Sequence, residues 1–210
     1  MPRTPIALGF RALRGGSVVV GVAIRDGQPR VVLNSFLGTA VDGDRLSLEP
    51  YCVAAEMERG LDNRASAEAI AAVAEGRRRQ DEVAAKGLDD IVAKLRATDW
   101  EPVVAALLVN RAGWITDLLE HSLSAPEHPP IAEGLAVRHA LRAAFIRAEL
   151  TTVELDDKSL AQHAAEELHV APTELEARLK TLGAEIGRPW RKEQKLACLA
   201  AWVTLATRVD

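Results

Sequence analysis

Apolar residues follow two patterns along this chain, dense β-branched runs at the start and helical spacing over most of the rest. Ile6–Ala12, Ser17–Arg25 and Arg30–Thr39 read as three strands. Val18, Val19, Val20, Val22 and Ile24 form a nearly continuous run, the pattern of a strand buried on both faces. Arg14-Gly15-Gly16 predicts a hairpin turn, because glycine tolerates positive φ. Asp26-Gly27-Gln28-Pro29 predicts a second. Three antiparallel strands joined by short turns follow.

Beyond Gly43 and Pro50 the pattern changes. Tyr51–Arg96 is rich in Ala, Glu, Arg and Lys, with Ile70, Val73, Val83, Ile91 and Leu95 at intermittent helical spacing. Gly60, Gly76 and Gly87 predict two or three helical pieces rather than one rod. Val103–Asn110 is a buried strand, and its place after a helix predicts a parallel crossover onto the first sheet. Pro126–Pro130 marks a boundary. A helix then runs from Ile131 to about Glu149, with Val137, Leu141, Ala144, Phe145 and Ala148 on one face. Thr151–Leu155 is a short strand. Leu160–Leu182 reads as a helical hairpin, with Pro172 suited to a first turn. Gly187-Arg188-Pro189-Trp190 breaks it before a last helix over Lys192–Thr207. The organisation expected is one domain with a small helical subdomain at about 160–187.

At 210 residues, 48% of them hydrophobic and 27% charged, the chain is long enough for a sizeable core. The formal charge of −4 argues against general attraction to nucleic acid or an anionic membrane, and leaves a local basic patch open. Arg77-Arg78-Arg79 is interleaved with Glu75, Asp81 and Glu82, so it reads as a solvated helix face. Cys52 and Cys198 lack metal-ligand spacing and sit among apolar neighbours, which predicts two buried free thiols. No run of roughly 18 apolar residues predicts a membrane span, and Met1-Pro2-Arg3-Thr4-Pro5 does not resemble a signal peptide. A cytoplasmic location is expected.

The order β-β-β-α-β-α-β-α resembles the ribonuclease H-like superfamily, which includes the Holliday-junction resolvases. The last third, from Thr152-Val153 through Leu196-Ala197-Cys198-Leu199-Ala200-Ala201-Trp202, is similar to the resolvase ending. The resemblance implies an α/β fold: a mixed five-stranded sheet, three antiparallel strands and then parallel additions, with helices on both faces. It also implies phosphodiester cleavage by divalent metals held by three or four carboxylates. Such metals need clustered negative charge to stabilise the attacking and leaving oxygens. The first-strand aspartate of the family falls on Gly9 or Phe10 in Leu8-Gly9-Phe10-Arg11. The carboxylate ending the fourth strand falls on Asn110 or Arg111, and the acidic pair of the last helix on Lys192, Glu193 and Lys195. Only Glu193 is acidic. Arg11, Arg111, Lys192 and Lys195 would repel magnesium, so no catalytic residue, metal or cofactor carries across. Glu49-Pro50-Tyr51, Ala55-Glu56, Ala132-Glu133-Gly134-Leu135 with Arg138, and Gly187-Arg188-Pro189-Trp190 before Glu193-Gln194-Lys195 resemble a group of uncharacterised bacterial proteins of this fold. That likeness implies the fold and no activity.

Several residues could carry other chemistry. Glu133 near a helix start, with His128 upstream, could form an acid/base pair, or could simply complement the helix dipole. Glu56 would open the first long helix, in a catalytic or a dipole role. Asn110 and Arg111 follow the buried strand, where ligands of α/β sheets often bind, and Arg111 could hold phosphate or carboxylate. Arg188, Arg191, Lys192 and Lys195 flank Trp190, which could stack on nucleic acid or plug the core. Gly15-Gly16 lacks the following Lys of a phosphate loop, and Ser122 and Ser124 near His121 lack a hydrolase elbow. Two functions stay open. One is non-catalytic binding of structured nucleic acid or a protein partner. The other is a hydrolase or nuclease with a displaced acidic site drawn from Glu56, Glu133 and Glu193. Apolar residues on the 160–187 helices are compatible with a homodimer.

Overall fold

A computed structural model describes residues 3–110 and 115–208. Arg111 therefore lies outside the described residues. Strand β1 (Thr4–Leu13) occupies the middle of a five-stranded sheet. It pairs antiparallel with β2 (Gly16–Arg25), which pairs antiparallel with β3 (Gln28–Gly38). On its other side β1 pairs parallel with β4 (Trp100–Val109), and β4 pairs parallel with β5 (Thr151–Asp156). The strand order is β3-β2-β1-β4-β5, and the three antiparallel strands with parallel additions match the sheet expected from sequence, because each β-branched run and each glycine turn acts locally. Gly15 and Gly27, at φ of 72° and 71°, occupy the two hairpin turns.

Among the described residues three short helices and five longer ones accompany the sheet. Helices α1 (Arg45–Leu48) and α2 (Pro50–Ala55) lead into α3 (Ala67–Arg96). After β4 come α4 (Leu118–Ser124) and α5 (Pro129–Arg147). After β5 come α6 (Leu160–Glu167), α7 (Pro172–Ile186) and α8 (Lys192–Ala206). The expected breaks at Gly76 and Gly87 do not occur, and α3 runs unbroken for 30 residues. A helix-interior glycine costs about 1 kcal/mol, which the surrounding Ala, Glu, Arg and Lys offset. Gly76 also has a packing reason: a Cβ there would lie 2.5 Å from the Leu46 carbonyl oxygen.

Side chains alternate across β1 and so feed two cores. Ile6, Leu8 and Phe10 join Leu88 of α3, Leu107 of β4 and Leu141 and Phe145 of α5. The Phe10 and Phe145 rings meet at 4.6 Å between centroids, a tilted aromatic pair. On the other face Ala7 joins Val18, Val20, Ala106 and Leu108, covered by α8. Helices α6 and α7 add Leu160, Leu175, Leu179 and Leu182 to that second cluster. Helix α8 is buried on nearly all sides from Ala197 to Leu205, because the sheet lies beneath it and α6 and α7 flank it. Among the described residues no helix is long and apolar enough to cross a membrane. Cys198 is a buried free thiol as expected, whereas Cys52 is only half-buried.

Candidate functional site

The carboxyl ends of β1, β4 and β5 come together at one edge. Arg11 pairs in register with Leu108, Val109 pairs with Asp156, and the Asp157 N–H donates to the Val109 carbonyl at 3.0 Å. Across this edge Arg11 Nη2 donates to Asp157 Oδ2 at 2.9 Å. Arg138 reaches in from α5, donating from Nη1 to the Gly134 carbonyl at 3.1 Å and from Nε toward Leu108 O at 3.4 Å. Burial lowers the Arg138 pKa, and the neighbouring Arg142 guanidinium adds to the effect. Arg142 itself is paired with Glu154 at 2.5 Å.

The metal pair implied by the ribonuclease H-like resemblance does not fit these residues. Gly9 lies directly beneath α8: a Cβ there would sit 1.8 Å from the Ala197 carbonyl oxygen. No side chain of any kind has room. Phe10 points to the opposite face, into Phe145. The next residue of β1 on the Gly9 side is Arg11, a cation already paired with Asp157. Asn110 is exposed at the end of β4. Among the described residues no three His, Cys, Asp or Glu side chains gather closely enough to hold a metal ion.

The start of α8 lies elsewhere along the same edge. Lys192 and Lys195 are exposed, and half-buried Glu193 lines a groove of about 680 Å³ with Leu13, Asn34, Phe36 and Arg191. Trp190 is held by packing. Its Nε1 donates to the Leu179 carbonyl at 2.8 Å, and its ring lies where a Cβ on Gly183 would be, 2.0 Å from Cδ1. Of its two readings, the geometry matches the plug between α7 and α8.

Glu133 and Glu56 differ from expectation. Glu133 is buried, and its Oε1 accepts from Tyr51 N at 2.6 Å and Cys52 N at 2.9 Å, at the start of α2. Burial pushes its pKa up to about 7, against the pull of those two backbone bonds. Its Oε2 has no hydrogen-bond partner. Of the two readings of Glu133, the acid/base pair with His128 is not formed. His128 instead stacks on His121 at 4.1 Å and places Nδ1 2.8 Å from the Ser124 hydroxyl. Glu56 closes α2 rather than opening the long helix, and its exposed carboxylate pairs with Arg45 at 2.8 Å. The α2 ending is set by the irregular segment before α3, which has no helical spacing to extend it.

A cavity of about 500 Å³ opens between α3, α4, α5 and the end of β4. Its polar wall carries Tyr51, Arg77, Asn110, Arg138, His139 and Arg142. Arg77 Nη2 lies 3.3 Å from His139 Nδ1, and its guanidinium sits beside the buried Tyr51 hydroxyl. Burial lowers the His139 pKa, with Arg77 and Arg142 adding to it. Arg77 and His139 were not legible as site residues. The Arg77-Arg78-Arg79 run splits: Arg78 and Arg79 pair with Glu75 and Arg79 also with Asp44, while Arg77 turns inward. The signal was its phase. Arg77 continues the buried positions Val73, Gln80 and Ala84 at helical spacing.

The sequence matches no protein-family model and no curated protein sequence. Among solved structures, the Thermus thermophilus RuvC structure superposes with a TM-score of 0.54 over 97% of this chain and 95% of that one, at 10% identity. T. thermophilus RuvC in complex with Holliday junction substrate gives 0.54 over 97% and 94%, at 11% identity. At such identity the likeness establishes the fold, which is ribonuclease H-like.

Proposed function

We propose that this chain is a non-catalytic binding protein on a ribonuclease H-like scaffold, and that its partner is structured nucleic acid. The observation that carries the reading is the closure of the first-strand position. Helix α8 leaves no space for a side chain at Gly9, and an Arg11–Asp157 ion pair follows it. Two divalent cations need clustered carboxylates, and a guanidinium at the same edge opposes them. Basic groups are nonetheless present along the edge, at Arg138, Arg191, Lys192 and Lys195. A solved structural relative holds a Holliday junction substrate, which makes a four-way junction the first ligand to test.

The test is anisotropy with labelled four-way junction, duplex DNA and RNA–DNA hybrid, read beside a denaturing gel with and without manganese. Binding without cleavage is expected, weakening as salt rises because phosphate contacts release counterions. A Lys192→Glu, Lys195→Glu double variant should lose that binding. Manganese-dependent cleavage overturns the non-catalytic reading, and silence with all three ligands overturns the nucleic-acid partner.

The alternative, a hydrolase with a displaced acidic site, is favoured by Glu133, whose carboxyl titrates near 7 with one oxygen unpartnered. Against it, both bonds of Oε1 go to the backbone of α2, the ordinary use of a carboxylate at a helix start. Calorimetric titration with magnesium or manganese separates the two. Binding that disappears in Glu133→Gln or Glu193→Gln supports the hydrolase.

A further inference from the structure

We propose that the cavity between α3, α4 and α5 binds the phosphoryl group of a small phosphomonoester, gripped by Arg77 and Arg138. The inference rests on the reading of the carboxyl edge as a binding edge, and it names a ligand class for one part of that edge.

Among the described residues the charges lining the cavity do not balance: the guanidiniums are Arg77, Arg138 and Arg142, and the carboxylates are Asp117 and Glu154. Glu154 is taken by Arg142. Asp117 caps α4, its Oδ1 accepting from Leu119 N and Glu120 N, both at 3.0 Å. Among the described residues neither Arg77 nor Arg138 has a carboxylate partner. Arg138 bonds only to the neutral carbonyls of Leu108 and Gly134, and Arg77 lies against His139 and Tyr51. Both side chains are half-buried. Carboxylates act on them only from beyond ion-pair distance, Asp157 and Glu154 on Arg138 and Asp81 on Arg77, and an anion in direct contact inside the cavity relieves the remaining cost of withdrawing them from water.

The donor geometry selects the anion. Two guanidinium forks without a carboxylate at ion-pair distance offer more paired N–H donors than a planar carboxylate can accept, and the three terminal oxygens of a phosphoryl group can use them. Guanidinium forks bind phosphate oxygens through paired N–H donors. They project here from two different helices, α3 and α5, so they can approach one phosphate from two sides. His139 adds a further ring nitrogen beside Arg77. Val73, Leu118 and Leu135 supply an apolar wall for the rest of the molecule. A volume of about 500 Å³ falls within the range of small-ligand sites. The phosphoryl group can belong to a free mononucleotide or sugar phosphate, or to the 5′ end of a nucleic-acid strand.

The experiment is calorimetry on the full chain at constant ionic strength, with inorganic phosphate, a 5′-mononucleotide and succinate. Phosphate and mononucleotide are expected to bind one to one, and succinate much more weakly. Arg77→Gln and Arg138→Gln should each weaken the mononucleotide by about tenfold or more, as loss of a charge-assisted fork does. Arg147→Gln, an exposed position on α5, should leave it unchanged. If Arg138→Gln does not fold, Arg77→Gln decides. Competition by a 5′-phosphorylated oligonucleotide, but not by its 5′-hydroxyl form, assigns the phosphate to a strand end; competition by neither assigns it to a small metabolite. Absence of binding at about 10 mM mononucleotide, or unchanged affinity in Arg77→Gln, overturns the inference. Junction binding that persists alongside that result leaves the wider reading standing. Mononucleotide binding without any nucleic-acid binding overturns the wider reading and leaves the cavity assignment.

Discussion

The two faces of β1 meet their helices in opposite ways. On one face α8 lies so close that its Ala197 carbonyl occupies the space a Gly9 side chain would need, and Ala197, Ala200 and Ala201 make the approach possible. On the other face Phe10 is met by Phe145, Leu88 and Leu141, bulk against bulk. At the carboxyl edge the contrast continues. The α8 side ends in a closed ion pair, and the α3/α5 side ends in an open cationic cavity. The scaffold's chemistry is thus limited by helix approach as much as by residue identity. Replacing Gly9 with an acidic residue would not rebuild a metal site, because the backbone of α8 stands in the way. Gly9→Asp is accordingly the change with the largest expected effect, a loss of at least about 5 kcal/mol from overlap and a buried unpaired charge. Urea unfolding checks it. A Gly9→Asp protein of ordinary stability that cleaves DNA with manganese would break the comparison.

On the opposite face the expected cost is that of a cavity. Phe145→Ala should lose about 3–5 kcal/mol while leaving α8 in place. A third effect depends on pH. Burial raises Glu133 from its ordinary 4.5 to about 7 in the folded chain. The folded state therefore keeps this proton at pH values where the unfolded chain has released it. Stability from this group falls as pH rises from about 4.5 to about 7 and is recovered on acidification. Its size is on the order of 3 kcal/mol, taking 1.36 per unit as a rough conversion. Glu133→Gln should flatten the slope between about pH 5 and about pH 8, because a neutral amide oxygen still accepts from Tyr51 and Cys52. Unfolding midpoints of the two proteins across that window are the measurement. An unchanged difference between them would place Glu133 in water-filled surroundings and reopen its role as an acid.

The strands were legible because their causes are local. β-branched runs and turn glycines fix β1 to β3, and β4 and β5 follow from apolar runs placed after helices. The faces of α5 were legible for the same reason, since Val137, Leu141, Ala144 and Phe145 share one core. What sequence did not show depends on distant partners. The continuity of α3 at Gly76 depends on the Leu46 carbonyl lying against it. Glu133 holds a helix start 82 residues away, and Arg11 pairs with a carboxylate 146 residues away. No local spacing announces either. The inward turn of Arg77 was half-visible, since its helical phase was available but the neighbouring acidic residues pointed to solvent. Glu75 and Glu82 do pair, but with Arg78 and Arg79.

The Arg11–Asp157 pair carries the smallest expected effect and sharpens the comparison most. Its side chains are 20% and 30% exposed, so solvent screens the attraction only in part. A double-mutant cycle of Arg11→Gln and Asp157→Asn should return a coupling of about 1 kcal/mol, toward the upper end for partly exposed pairs. Arg11→Gln alone should cost less than Asp157→Asn alone. Losing Arg11 leaves a carboxylate that water can reach, whereas losing the Asp157 charge leaves a guanidinium whose Nε is already buried without a partner. That asymmetry separates two accounts of the edge. If Asp157 exists to neutralise Arg11, freeing it in Arg11→Gln should not create manganese affinity, since Gly9 remains closed and no second carboxylate faces it from β1. If calorimetry of Arg11→Gln detects manganese, the arginine has been holding shut a site that the rest of the edge can still build. The closed and open faces of β1 would then differ by one side chain rather than by the approach of a helix.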